Sequence, residues 1–409
     1  MGTIVQKFGG SSVADAAKLK RAAERIVRAK RAGNKVIAVV SARGDLTDEL
    51  IDLSRQITSR PPRREMDMLL STGEQQSVAL LAMAVDEIGE KALSFAGAQI
   101  GIVTDSFHTK AKIKNIDPTR IIEALEADRI AIVAGFQGVD ENYNLTTLGR
   151  GGSDTTAVAL AAVLKADVCE IFTDVDGVYT ADPRIVKDAR KIKRLSYDEM
   201  LELASLGAQV MQARSIEFAK KYDVAIHVRG SFSENEGTMI VREVPEMEGI
   251  VVSGAAVSKN EAKVTLRGVP DKPGVAAAVL RGFAADNINV DVIIQNTSAA
   301  GLADMSLTVG KTDLREACAV AESLVADLGA GGFEVDEGIA KLSVVGIGMR
   351  SHTGVAEKMF TALAAEGINI QMISTSEIKI SVVVDESLAD RALKAVHAAF
   401  ELEKEPAQQ

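Results

Sequence analysis

Up to about position 245, the spacing of apolar residues switches repeatedly between a strand-like and a helix-like period. Thr3–Gln6 reads as a short strand. Asp15–Arg31 then places Leu19, Ala22, Ala23, Ile26 and Val27 on one helical face, with Gly33 as its stop. Lys35–Ser41, KVIAVVS, is a β-branched run suited to a strand buried on both faces. A helix is expected from Gly73, with Val78, Leu81, Val85 and Ile88 on one stripe. Further strands are expected at Ile100–Thr104, Arg129–Ala134, Val168–Thr173 and Ala225–Val228. Helices fall between them, one opened by Asp117-Pro118 and one by the capping box Ser196-x-x-Glu199. Strands separated by helices of this length predict an α/β domain of three layers, with a mostly parallel sheet covered on both faces.

The remainder contains a repeat. Lys263–Val309 and Lys341–Val384 align Lys263 with Lys341, Gly268 with Gly346, Gly274-Val275 with Gly354-Val355, and Ile288-Asn289 with Ile368-Asn369. Each copy reads strand, Gly-bearing loop, helix, strand, strand, so two α+β modules are expected. They can form one layer by pairing with each other or across a dimer. The segment Met247–Ser258 is partly β-like and can supply a strand to either copy.

Composition narrows the function classes. The 409 residues are 47% apolar and 25% charged, the balance of a globular chain with room for more than one domain. A net charge of −10 argues against a nucleic-acid footprint and requires local cations wherever an anion binds. No uncharged apolar run approaches membrane-spanning length, and a strand starting at Thr3 leaves no stretch that reads as a signal peptide, so a cytoplasmic protein is expected. Cys169 and Cys318 read as buried, reduced thiols. His108, His227, His352 and His397 lack metal-ligand spacing and read as structural or solvent-facing, so no protein-held metal site is expected.

Four constellations can carry chemistry. In VQKFGGSS, a strand ends at Lys7 and Gly9-Gly10 follow with a helix behind; backbone N–H groups and an ammonium suit a polyphosphate, though no Walker A loop occurs. In GRGGSDTTA, Arg150 offers a bidentate fork among Gly149, Gly151 and Gly152, with Ser153 and Asp154 opening a helix. Asp154 there either complements the helix dipole or does chemistry. In TDVDGVYTADPR, a strand end runs into an Asp-rich loop, which reads either as a turn or as a nucleotide contact. Ser41, Thr47 and Glu74 fall just beyond strand ends or at helix starts, where open α/β sheets bind ligands.

Taken in order, VQKFGGSS, STGEQ, AGFQGVD, TTLGRGGSDTTAVALAA and TDVDGVYTADPR resemble the bacterial aspartokinases, members of the amino-acid kinase fold. The C-terminal repeat looks like their two ACT modules. The resemblance implies an amino-acid kinase domain over 1–245, a linker and added strand at 246–262, and ACT domains at 263–338 and 339–409. It implies ATP-dependent phosphorylation of L-aspartate to 4-phospho-L-aspartate, the first step toward lysine, threonine, methionine and diaminopimelate. By the same resemblance, Lys7 and Asp154 are catalytic, and Ser41, Thr47, Glu74, Arg150, Gly151, Gly152 and Ser153 bind aspartate. Lys7, Phe8, Gly9, Gly10, Thr173, Asp174, Tyr179, Asp182, Arg184 and Gln209 meet the nucleotide with its Mg²⁺. Gln209 departs from the family, where many relatives carry Lys, and Arg43 also stands in place of the usual residue.

The ACT resemblance implies amino-acid effectors, lysine or threonine or both. Their candidate contacts are Asp271, Gly274, Val275, Asn289 and Gln295 in the first copy. In the second they are Met349, His352, Val355, Asn369, Ser374, Thr375 and Glu377. It also implies a homo-oligomer, dimer or tetramer, through the ACT domains, and Met247 as a possible start of a shorter regulatory chain. Two other readings remain open: another enzyme of the same fold, and an amino-acid sensor with a decayed kinase half. Lys7, Glu74, Arg150 and Asp154 retained together speak against the sensor.

Overall fold

The computed structural model describes residues 2–206, 210–242, 252–297, 301–350 and 354–405. It divides into two compact units, Met1–Val178 with Lys191–Glu246, and Tyr179–Arg190 with Met247–Gln409. The sequence reading carried the first domain unbroken to 245, whereas the segment Tyr179–Arg190 leaves it for the second unit.

The first unit is built on an 8-stranded sheet. Its order is Arg194–Ser196, Thr238–Val241, Ile226–Gly230, Val168–Thr173, Thr3–Phe8, Lys35–Val40, Ile130–Ala134, Ala92–Phe95. Every neighbouring pair is parallel except Ile226–Gly230 with Thr238–Val241. The central strands are apolar on both sides because helices cover both faces. On one face Phe8, Ala38, Val40, Ile132 and Phe172 pack against Leu19, Ala23 and Ile26 of helix Ala16–Arg31 and Val78, Leu81 and Val85 of helix Arg63–Glu87. Asp15 caps the first of these helices through the Lys18 N–H, and Ser196 and Glu199 form the expected capping box. A smaller sheet, Ile113–Ile116, Ile102–Thr104, Gln137–Val139 and Leu145–Thr147, flanks the first.

The helix expected from Gly73 begins ten residues earlier, at Arg63, directly after Pro62. Its first turn, Arg63, Arg64 and Glu65, is exposed, so no apolar period marked it. Helix Leu46–Ile57 was missed for the same reason, since none of its residues is buried. Asp117-Pro118 does open a helix, Thr119–Glu126, with the Asp117 carboxylate accepting the Thr119 N–H at 3.1 Å.

In the second unit the two repeat copies share one antiparallel 6-stranded sheet. The order is Val290–Thr297, Leu302–Gly310, Gly254–Pro270, Gly332–Val345, Lys379–Asp385, Met372–Thr375. Gly254–Pro270 serves both copies. Residues 254–258 pair with 341–345 of the second copy, and residues 261–270 form the first strand of the first. The linker therefore adds its strand to the second module, and Met247 lies outside the described residues. Tyr179–Arg190 joins this unit by burying Ala181 and Val186 beside Ala255, Leu342 and Val355. Thr180 accepts the Ala255 N–H at 2.8 Å and sets its hydroxyl 3.0 Å from His397 Nε2.

The repeat carries a reciprocal exchange of lysines. Lys341 of the second copy pairs with Asp291 of the first and with Glu261 at 2.9 Å. Its equivalent, Lys263, donates to Gln371, the residue equivalent to Asp291, at 2.6 Å. Lys341 is only 4% exposed and Glu261 10%, so each depends on the other for compensation of lost hydration. Glu261→Ala should destabilise the unit by about 3 kcal/mol, and Lys341→Met with Glu261→Leu should recover most of that, measured by urea unfolding.

Candidate active site

Because they run parallel, the central strands of the first unit end together. Phe8 is in register with Val40 and Phe172, and Val40 with Ala134. The polar segments after each strand are thus set side by side at one sheet edge. The Gly9 N–H donates to the Phe172 carbonyl at 3.3 Å, Ser41 N–H to Phe8 at 3.1 Å, and Gly44 N–H to Gly10 at 3.0 Å. These bonds tie three of the loops together. At their centre Lys7 Nζ stands 2.6 Å from Asp154 Oδ1, the two side chains 12% and 9% exposed. A pair this far from water has a stronger mutual attraction than a surface pair.

Asp154 reaches Lys7 from the first turn of helix Gly152–Val163, whose N-cap is Gly151. Gly151 is left-handed, at φ 69°, and a Cβ there would lie 1.7 Å from the Gln212 side chain, so only glycine fits. Ser153 is buried against Gly135, where a Cβ would meet its Oγ at 2.7 Å; this places Ser153 beyond the end of Ile130–Ala134. The positive end of this helix favours an anion, although the Gly152 and Asp154 N–H groups already donate to the Gly149 and Gly151 carbonyls.

Glu74 enters from helix Arg63–Glu87. That helix approaches the Ser41-Ala42 turn closely because residue 73 has no side chain; a Cβ would lie 2.8 Å from that of Ala42. Glu74 Oε1 accepts the Ala42 N–H at 3.0 Å, while Oε2 is buried with no hydrogen-bond partner among the described residues. Burial pushes this carboxyl from its ordinary 4.5 up to about 7, against the opposing pull of the Ala42 N–H. A buried carboxylate oxygen without a partner suits a cationic ligand group.

The structure thus gathers Lys7, Phe8, Gly9, Gly10, Ser41, Glu74, Ser153, Asp154 and Thr173 at one edge. Thr173 donates to Asp174 at 2.9 Å. Thr47 is half-buried in the first turn of Leu46–Ile57, and Arg150 and Arg43 are exposed. Arg150 makes no ion pair among the described residues. Tyr179, Asp182 and Arg184 belong to the second unit. There the Arg184 guanidinium grips the Asp182 carboxylate, with Nη2 at 2.7 Å from Oδ2, and holds it below the usual range. Gln209 and His352 lie outside the described residues.

In the second unit the effector candidates fall at repeat-equivalent places. Gly274 and Gly354 are left-handed N-caps, and Val275 and Val355 open helices Val275–Ala285 and Val355–Ala365 and are buried. Asp271, Asn289, Gln295, Asn369, Thr375 and Glu377 are exposed, and Met349 and Ser374 half-buried. Gln295, Ser374 and Thr375 sit on the two edge strands.

Sequence reasoning missed Asp67 and Arg214, whose hydrogen bonds reach Thr147 and Leu148 just before Arg150. His108, read as structural or solvent-facing, brings Nδ1 to 2.7 Å of Asp67. The readable signal was a carboxylate seven residues before Glu74, on the same helical face.

Comparison with known proteins agrees with this architecture. The amino acid kinase family profile matches residues 2–230, and ACT domain profiles match 264–323 and 342–400. The aspartokinase of Pseudomonas aeruginosa is 52% identical over 411 residues, covering 100% of both chains. Aspartokinase III of E. coli, solved with aspartate and ADP in its R-state, superposes with a TM-score of 0.82 at 25% identity, over 97% of this chain and 99% of that one. Its T-state complex with lysine and aspartate gives 0.76 at 26% identity, over 97% and 99%. A parallel α/β unit with a Lys–Asp pair at its strand ends, two ACT modules and half-identity along the whole length lead to one conclusion: the chain belongs to the amino acid kinase family, among the aspartokinases.

Proposed function

We propose that the chain transfers the γ-phosphoryl group of ATP to the β-carboxylate of L-aspartate, giving 4-phospho-L-aspartate and ADP. The observation that carries this reading is the Lys7–Asp154 pair, 2.6 Å apart where the parallel strands end. The β-carboxylate is already ionised at neutral pH, since its ordinary pKa is about 3.9. One of its oxygens forms a bond to the γ-phosphorus as the bond from phosphorus to the β,γ-bridging oxygen breaks. No proton has to move, so the protein's task is to bring two anions together and stabilise dispersed negative charge. Lys7 and the Gly9-Gly10 backbone meet the β- and γ-phosphates, and Thr173 and Asp174 contact the nucleotide. Asp154 holds Lys7 in place rather than acting as a base.

The amino-acid end is held by opposed charges. Arg150 clamps the α-carboxylate as a bidentate fork, and the unpartnered Glu74 oxygen takes the α-ammonium. Ser41, Thr47 and Ser153 donate or accept hydrogen bonds around them. Among the described residues no cluster of three or more His, Cys, Asp or Glu side chains can hold a metal. ATP would bind as its Mg²⁺ complex, the ion offsetting phosphate charge beside Lys7.

The ACT modules bind lysine, threonine or both as feedback inhibitors, in line with the lysine-bound T-state of the E. coli enzyme. Among the described residues the edge strands Val290–Thr297 and Met372–Thr375 each have a neighbour on one side only, which suits pairing with a second copy into a homo-oligomer.

An ATP-dependent acyl-phosphate assay, with the product trapped as its hydroxamate, should show turnover with L-aspartate and none with glutamate or acetylglutamate. Millimolar lysine, threonine or their mixture should lower it; absence of turnover with aspartate would sink the reading. Arg150→Ala should raise the aspartate KM by about tenfold to a hundredfold and leave the ATP KM near its starting value. Lys7→Ala or Asp154→Asn should act mainly on kcat.

Glu74 adds a pH signature. Its ionised form attracts the substrate ammonium, so the aspartate KM should fall as pH rises toward and through about 7. Its raised pKa also means the folded chain keeps a proton that the unfolded chain loses. Its contribution to stability is therefore full below 4.5 and lost as pH climbs to about 7. Glu74→Gln should raise the KM and flatten both profiles, checked by kinetics and thermal unfolding across that range.

A further inference from the structure

One buried carboxylate stands outside the chemistry proposed above. Asp67 lies on helix Arg63–Glu87 two turns before Glu74 and is 0% exposed. Its Oδ1 accepts the Thr147 hydroxyl at 2.6 Å, both oxygens accept the Thr109 N–H at 3.1 Å, and Oδ2 is 2.7 Å from His108 Nδ1. Burying a carboxylate is costly unless donors replace its water. Here the donors come from two separate segments, the loop 105–112 and the strand Leu145–Thr147.

Both segments border the turn that carries Arg150. Thr147 leads directly into Leu148, Gly149 and Arg150, and a Cβ on Gly149 would lie 3.0 Å from the Thr109 carbonyl. The Ala111 N–H donates to the Thr147 carbonyl at 2.9 Å. Arg214 closes the arrangement, donating to the Leu148 and Ala111 carbonyls, each at 3.0 Å. The turn itself has little stiffness of its own, with Gly149 at φ 79° and Gly151 at φ 69° on either side of Arg150. Arg150 is exposed and has no ion-pair partner among the described residues, so its placement depends on this backbone.

We propose that Asp67 is a positioning residue for recognition of the substrate's α-carboxylate. Through Thr147 and Thr109 it fixes the turn from which Arg150 reaches, on the same rigid helix that presents Glu74. One helix thereby sets the spacing between the cation and the anion that hold the amino-acid end, and pre-organisation of this kind lowers the cost of binding. The inference rests on Arg150 contacting aspartate, and its test separates the two.

Steady-state kinetics of the full chain, varying aspartate and ATP separately, would compare Thr147→Val, Asp67→Asn, Arg150→Ala and the Thr147→Val/Arg150→Ala double variant. Thr147→Val removes one hydroxyl at nearly constant volume, so it decides the matter even if Asp67→Asn fails to fold. We expect Thr147→Val and Asp67→Asn to raise the aspartate KM about five- to tenfold, with kcat and the ATP KM within about twofold. The double variant should be no worse than Arg150→Ala alone, because both changes act through one group. An unchanged aspartate KM in Thr147→Val beside a raised one in Arg150→Ala would overturn the positioning role and leave the reading of Arg150 intact. So would an ATP KM that rises in step, or additive losses in the double variant. An unchanged aspartate KM in Arg150→Ala would remove both.

Discussion

The site depends on one ion pair formed by residues far apart in the chain. Lys7 ends a central strand and Asp154 begins a helix, and they meet at 2.6 Å in a place largely closed to water. Neither charge could be kept there alone, because an isolated ion loses its hydration without return. Their meeting requires the strands to run parallel and in register, so that Phe8, Val40 and Phe172 finish at the same edge. It also requires glycines where helices and loops approach: Gly73 lets Glu74 reach the Ala42 N–H, and Gly151 turns the chain into the helix bearing Asp154. The chain as a whole is anionic, so a polyphosphate would need a local cation such as Lys7 to bind at this edge.

Much of this was legible in the sequence, for identifiable reasons. The buried strands announce themselves because helices on both faces leave only apolar residues in KVIAVV and VCEIFT. Lys7 and Asp154 could be singled out because polar groups at strand ends and helix starts are where such sheets take ligands, whereas Glu74 was picked out on a helix start that lies instead at Arg63. The parts that stayed hidden lack a periodic signal. Helix Leu46–Ile57 buries nothing, and the first turn of Arg63–Glu87 faces solvent. Asp67 and Arg214 act through backbone carbonyls and N–H groups brought from other segments, which no local spacing encodes.

The regulatory unit shows what a repeat gains by folding as a pair. Each copy supplies a lysine, Lys263 or Lys341, that reaches the equivalent position of the other, Gln371 or Asp291. The equivalence is incomplete, since Lys341 has two carboxylate partners and is nearly enclosed, whereas Lys263 is 22% exposed. An acid at 291 and an amide at 371 therefore make the two halves energetically unequal. Equivalent halves of one sheet with unequal ties are free to respond differently to a ligand at each edge.

Regulation also needs a route by which the second unit can alter chemistry in the first, and the chain supplies one covalently. After Thr173 and Asp174 it crosses at Val178 into the second unit and returns at Lys191. The excursion is anchored by Ala181 and Val186 in the core of the second ACT module, and by the hydrogen bond between the Ala255 N–H and Thr180. A rearrangement of that core must carry Tyr179–Arg190 with it, since burial of two apolar side chains resists their release into water. The Asp-rich motif that reads in sequence either as a turn or as a nucleotide contact is thus, in its second half, a part of the second unit. An effector that favours one packing of this core gains its leverage from the free-energy difference between packings, not from contact with the reacting groups.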